Sequence, residues 1–212
     1  MTLLWKVKHK GEKMEIAGFS SINTFINAVA LDGRQTIRVT KDPVITEVDE
    51  PTFAKLVGSD FKNGVIEVTV LSRLLENAPD FARGFIGVAF RIDESNSKFE
   101  GIYIRPTNGR ADDQLRRNRS TQYFSYPDFK FDRLRNESAG MYESYADMGL
   151  NEWIKLKIEV QGEKAKLYLN EGSQPVLVVN GLKHGADHSG GIGLWVDIGT
   201  EGFFTDLRIE NQ

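Results

Sequence analysis

Apolar and polar residues alternate with a period of two through much of the chain, in short runs bounded by Gly, Asn and Asp, while three-to-four spacing over ten or more residues is hard to find. These runs predict strands at 35–40, 65–71, 85–92, 99–105, 121–126, 153–160, 164–170, 176–180, 192–196 and 203–209. Gln161-Gly162-Glu163 and Glu171-Gly172-Ser173 are short Gly-containing connections, so 153–180 reads as a meander of antiparallel hairpins. Helix is confined to a turn or two, at 72–77 or at 112–118, the latter opened by acids that suit a helix N-terminus. The expected fold class is all-β, and 1–212 is expected to be a single domain, since β-sandwiches commonly exceed 200 residues.

Successive side chains of a strand point to opposite faces, so each run divides into two rows. Ile86, Val88, Phe90 and Ile92 form one row, and Phe85, Gly87, Ala89 and Arg91 the other. Ile102 and Ile104 oppose Phe99, Gly101, Tyr103 and Arg105; Ile192, Leu194, Val196 and Ile198 oppose Gly191, Gly193, Trp195 and Asp197. Ile66, Val68 and Val70 likewise oppose Val65, Glu67 and Thr69. One row of each strand is apolar core. If the second rows share one sheet face, small residues form a floor with Tyr103, Trp195, Arg91, Arg105, Glu67 and Asp197 around it, which describes a groove. Strand glycines often mark close approach of a ligand; their alternative role is to sit at bulges, with Trp195 packed under a loop.

Composition narrows the chemistry. The 212 residues are 40% hydrophobic and 27% charged with a formal net charge of −3, the balance of a folded globular chain rather than a polyanion binder. Zero cysteines exclude disulfides, thiol nucleophiles and thiolate metal sites. Charge interrupts the first ten residues from Lys6, so no signal-peptide stretch is present, and no run approaches the roughly 20 apolar residues of a membrane-spanning helix. The expectation is a soluble protein, cytoplasmic as written or exported if a leader has been removed, with no membrane partner and an open oligomeric state.

The connection 105–135 carries eight cations and four anions, with Tyr123, Phe124, Tyr126, Phe129 and Phe131 interleaved. A segment so long and polar beside a sheet suits a cap over a groove. Single-stranded nucleic acid is set aside on the net charge. The plainer alternative pairs Arg116, Arg117 and Arg119 with Asp112, Asp113 and Asp128. His184 and His188 lie four apart in a Gly-rich loop rather than on a helix, and no Asp/Asn loop has a calcium-ligand spacing, so no metal or other cofactor is expected.

Gly84-Phe85-Ile86-Gly87-Val88-Ala89-Phe90-Arg91, Ile102-Tyr103-Ile104-Arg105-Pro106-Thr107-Asn108-Gly109-Arg110 and Trp153-Ile154-Lys155-Leu156-Lys157-Ile158-Glu159-Val160 resemble the concanavalin A-like lectin/glucanase superfamily, over about 61–209. More narrowly they resemble bacterial 3-keto-disaccharide hydrolase (glucanase-like) domains. The resemblance implies a jelly-roll sandwich of two curved antiparallel sheets with carbohydrate on the concave face. Fold alone does not decide between enzyme and binder. Glucanase-type members carry Glu-x-Asp-x-Glu or Glu-x-Asp-x-x-Glu; here Glu47-Val48-Asp49-Glu50-Pro51-Thr52 lacks the third acid at either spacing.

The sequence therefore supports a carbohydrate-binding β-sandwich, with a sugar-active hydrolase as first alternative and a laminin-G-like protein-interaction module as second. The expected carbohydrate-contacting residues are Arg91, Tyr103, Arg105, Asn108, Arg110, Arg116, Arg117, Gln122, Tyr126 and Trp195. If the chain is catalytic, strand parity places Glu67 and Asp197 as the acids.

Overall fold

The computed structural model describes residues 16–212, so the reading of the first ten residues lies outside the described part. Two antiparallel sheets of seven strands stack face to face. Sheet A runs β1 (Phe19–Ile22), β4 (Phe53–Leu56), β13 (Gly191–Val196), β6 (Ile86–Ile92), β7 (Phe99–Ile104), β8 (Thr121–Tyr126) and β9 (Glu143–Ser144). Sheet B runs β12 (Leu177–Val179), β11 (Lys164–Leu169), β10 (Ile154–Gln161), β5 (Gly64–Leu74), β14 (Thr200–Asn211), β3 (Arg34–Lys41) and β2 (Thr24–Leu31). Every segment expected from the alternation is a strand, and β10, β11 and β12 form the expected meander.

The core forms where the apolar rows of the two sheets meet. Ile86, Val88, Ile102, Ile104, Leu194 and Val196 from sheet A pack toward Ile66, Val68, Val70, Leu156 and Ile158 from sheet B, all essentially inaccessible. Each such side chain contributes about 1.5–3 kcal/mol by leaving water. Gly202 of β14 marks how closely the sheets approach, since a Cβ there would lie 2.6 Å from Val196.

The structure adds four strands that alternation did not show: β1, β2, β4 and β9. They are short or lie at sheet edges, and β2 leaves Phe25 exposed, so its apolar residues do not mark a buried face. Residues 72–77 are not helical. Ser72 and Arg73 pair with Gly202 and Glu201, which prolongs β5 to Leu74. The helical turn within 112–118 exists as α2 (Gln114–Arg117), capped by the Asp113 carboxylate, which accepts from the Arg116 N–H at 2.9 Å. On either side of it in the chain lie α1 (Pro106–Gly109) and α3 (Phe131–Glu137). Among the described residues, no helix is long and apolar enough to cross a membrane.

Candidate functional site

The outer face of sheet A brings the second rows together. Gly87 pairs with both Tyr103 and Trp195, and Ala89 with both Gly101 and Gly193. Tyr103 and Trp195 lie with ring centroids 4.8 Å apart, and Phe124 reaches both, at 5.6 and 5.2 Å. This face is nonetheless not an open groove at that point. Trp195 and Tyr103 are each only 1% exposed. The room left by the glycines is filled by the chain's own rings: a Cβ on Gly101 would lie 2.2 Å from Phe124, and one on Gly193 2.9 Å from Phe53. Residues 49–52 strap the layer, with the Trp195 indole N–H donating to the Glu50 carbonyl at 2.9 Å and the Thr52 hydroxyl to the Val196 carbonyl at 2.6 Å. Trp195 is therefore a buried anchor rather than part of a rim.

An opening appears where this layer ends. One step past the Gly87, Tyr103 and Trp195 positions, the same rows continue to Phe85, Arg105 and Asp197, and these three line a pocket of about 240 Å³. Val48, Asp49, Phe81, Arg83, Tyr103, Asn108, Arg116, Arg119, Phe131 and Arg135 complete it. Asn108 comes from α1, Arg116 from α2, and Phe131 and Arg135 from α3, so the three short helices wall the sheet end. Phe81 stands at 51% exposure.

The polar lining is held by a dense hydrogen-bond network. Arg105 donates to the Tyr103 hydroxyl at 2.8 Å, to Gln122 Oε1 at 2.9 Å and to the Arg119 carbonyl at 3.1 Å, and pairs with Glu143 at 3.2 Å. Glu143 also receives Arg135 and Arg119, so one buried carboxylate gathers three guanidinium groups. Asp197 accepts from Lys41 Nζ at 2.6 Å and from the Asp49 N–H at 2.9 Å. Desolvation, and secondarily the charge of Asp197, push the Asp49 carboxyl up to about 7. The Arg83 guanidinium is held below its ordinary value by desolvation and then by the charges of Arg116 and Arg105, a sign that cations crowd this site.

The remaining expected residues fall elsewhere or serve behind the wall. Gln122 supports Arg105 and donates to the Tyr123 carbonyl at 2.7 Å. Arg91 does not join the face. It is the positive-φ residue in a stretch of β6 where the register with β13 shifts, and its guanidinium collects the carbonyls of Lys62, Gly162 and Gly185. Glu67 lies on sheet B, where it pairs with Lys155 at 3.1 Å; similar parity in separate sheets does not make a shared face. Arg110 pairs with Asp147 and Glu152, and Arg117 donates to the Tyr145 hydroxyl at 3.0 Å, both outside the pocket. Tyr126 stacks on Phe99 at the far end of β8. Arg116, Arg117 and Arg119 form no side-chain pair with Asp112, Asp113 or Asp128 among the described residues.

Sequence reading passed over Asp49, Phe81, Arg83 and Arg135 as lining residues. In the sequence Asp49 stands only in the 47–52 string that lacks the third acid of the glucanase motif, and no local pattern announces that this segment is drawn over the sheet. His184 and His188 lie in a loop with rings 5.1 Å apart; among the described residues no group of three or more His, Cys, Asp or Glu is placed to hold a metal ion.

No protein-family model matches this sequence, and no curated protein matches it. Among solved structures the chain is similar to the carbohydrate-binding module CBM66 from Bacillus subtilis, with a TM-score of 0.60 at 14% identity over 92% of this chain and 96% of that one. It is also similar to two candidate glycosyl hydrolases from Parabacteroides distasonis. One has a TM-score of 0.55 at 12% identity, covering 92% of this chain and 89% of that one. The other has a TM-score of 0.52 at 14% identity, covering 90% and 94%. At such identities the likeness is one of fold, that of a jelly-roll β-sandwich.

Proposed function

We propose that this protein binds carbohydrate, and that it does so in the pocket at the end of sheet A rather than over Trp195. One observation carries the reading: guanidinium, amide and phenol groups converge on a small concavity with an exposed aromatic ring, Phe81, at its edge. Sugar hydroxyls need directed hydrogen-bond partners and sugar C–H faces need a flat apolar surface, and this lining offers both. The fold shared with a carbohydrate-binding module supports the same reading. At about 240 Å³ the pocket is smaller than the roughly 300–1,000 Å³ of drug-sized ligand sites, which suits a single ring at a chain end or branch.

A second reading, a sugar-active hydrolase of the 3-keto-disaccharide hydrolase kind, is favoured by one feature. Asp49 is a buried carboxyl raised to about 7 beside a second carboxylate, Asp197, as a general acid requires. Titration of a glycan panel by calorimetry, with sugar release followed in the same mixtures, separates the two. Binding without release, weakened at least tenfold in Phe81→Ala with an unchanged melting temperature, is the expected result. Release that disappears in Asp49→Asn would replace binder with enzyme, and a panel with no ligand at all would overturn both.

A further inference from the structure

The pocket is not evenly supplied with donors and acceptors. Its lining holds five guanidinium groups, from Arg83, Arg105, Arg116, Arg119 and Arg135, against the carboxyls of Asp49 and Asp197. The acceptors are engaged. Asp197 Oδ1 takes Lys41 Nζ at 2.6 Å and the Ile198 N–H at 2.7 Å, and its Oδ2 takes the Asp49 N–H at 2.9 Å. Asp49 Oδ2 takes the Phe131 N–H at 2.7 Å, and the Asn108 side-chain oxygen faces Arg116.

The donors are less committed. Arg105, Arg119 and Arg135 share Glu143, but Arg83 and Arg116 form no ion pair among the described residues. Arg83 uses one nitrogen, Nη1, on the carbonyls of Asp80 and Ala82. Among the described residues the Arg116 guanidinium makes only long 3.4 Å contacts to Asn108, from Nε and Nη2. Both are half-buried, so their charge is incompletely screened by water. A neutral sugar would leave this surplus unmatched, whereas a carboxylate fits the planar fork of a guanidinium. The protein shows that pairing in its own wall, where Arg135 approaches both oxygens of Glu143 through Nε and Nη2.

We infer that the ligand is an acidic sugar, a uronate residue whose carboxylate sits between Arg83 and Arg116 while its ring lies toward Phe81 and Phe85. This rests on the carbohydrate reading above and narrows it to one substrate class.

Galacturonate, glucuronate and mannuronate oligosaccharides, each paired with its methyl ester, are titrated into the full chain beside a sulfated disaccharide and inorganic sulfate. The esters keep the ring and hydroxyls and remove only the charge. At least one uronate is expected to bind at least tenfold more tightly than its ester. That preference should shrink as salt is raised, and Arg83→Gln and Arg116→Gln should each weaken the acid at least fivefold while changing the ester less than twofold. Unchanged melting curves of both variants tie the loss to the pocket, and Arg116→Lys should restore part of it. An ester that binds as tightly as its acid, or neutral glycans binding where no uronate does, overturns the acidic-sugar inference and leaves carbohydrate binding standing. Tighter binding of the sulfated sugar or of sulfate alone overturns the carboxylate assignment. Silence across every sugar overturns the carbohydrate reading itself.

Discussion

Along β5 and β10 buried and half-exposed residues alternate almost without a break, whereas every residue of β6, β7 and β13 is buried. Sheet B shows its outer face to water and covers it with ion pairs such as Glu67 to Lys155 and Lys157 to Glu159. Sheet A carries a second apolar layer on its outer face, built from Phe53, Phe99, Tyr103, Phe124 and Trp195 under the strap of residues 49–52. Sequence alternation is almost the same in the two sheets, since glycines and aromatics stand where sheet B has charges. The difference teaches that an aromatic row on a strand marks a covered face as readily as a binding face. The candidate site lies where the cover stops.

The largest contrast should appear on truncation. Trp195→Ala removes a fully buried ring and is expected to cost about 3–5 kcal/mol in urea unfolding, whereas Glu67→Gln on sheet B should change stability by less than about 1 kcal/mol and leave ligand binding intact. A near-neutral Trp195→Ala would return the indole to the surface and break the comparison. Next in size is Gly101→Ala, whose new methyl meets Phe124; overpacking of this kind costs about 1–3 kcal/mol, and no loss would mean that the aromatic layer is loosely packed.

The gentlest contrast per step is the pH dependence of the pocket, which is read as a slope rather than as the effect of one substitution. Asp49 is raised from its model-peptide value of 3.8 to about 7, so between those values the folded state holds a proton that the unfolded state has released. Stability therefore falls as pH rises across this window, by at most about 1.4 kcal/mol per pH unit from this group. Below the window both states are protonated and the slope vanishes. Asp49→Asn should flatten the curve measured by denaturant unfolding between pH 4.5 and 7, and an unchanged slope would move the titrating group elsewhere. No surface carboxylate of sheet B should produce such a slope.

Much of the site was legible one strand at a time. Parity placed Phe85, Tyr103, Arg105 and Asp197 on one face, and the long charged connection announced that Asn108 and Arg116 would lie near it. Parity failed for Arg91 because an irregular register turns its backbone to positive φ, a local event that no alternation records. It failed for Glu67 because a side chain's face can be read from its own strand, while membership of a sheet is settled only by pairing. Asp49 and Arg83 were missed because their role depends on loops that are distant in sequence from β7 and β13.

Two facts came from the chain alone: strands with one apolar row each must stack those rows together, and without cysteines the fold must hold by packing. Which second row faces water and which is roofed over was decided in three dimensions. A ring gains the same free energy beneath a loop of its own chain as beneath a ligand, and only the path of the loop tells the two apart.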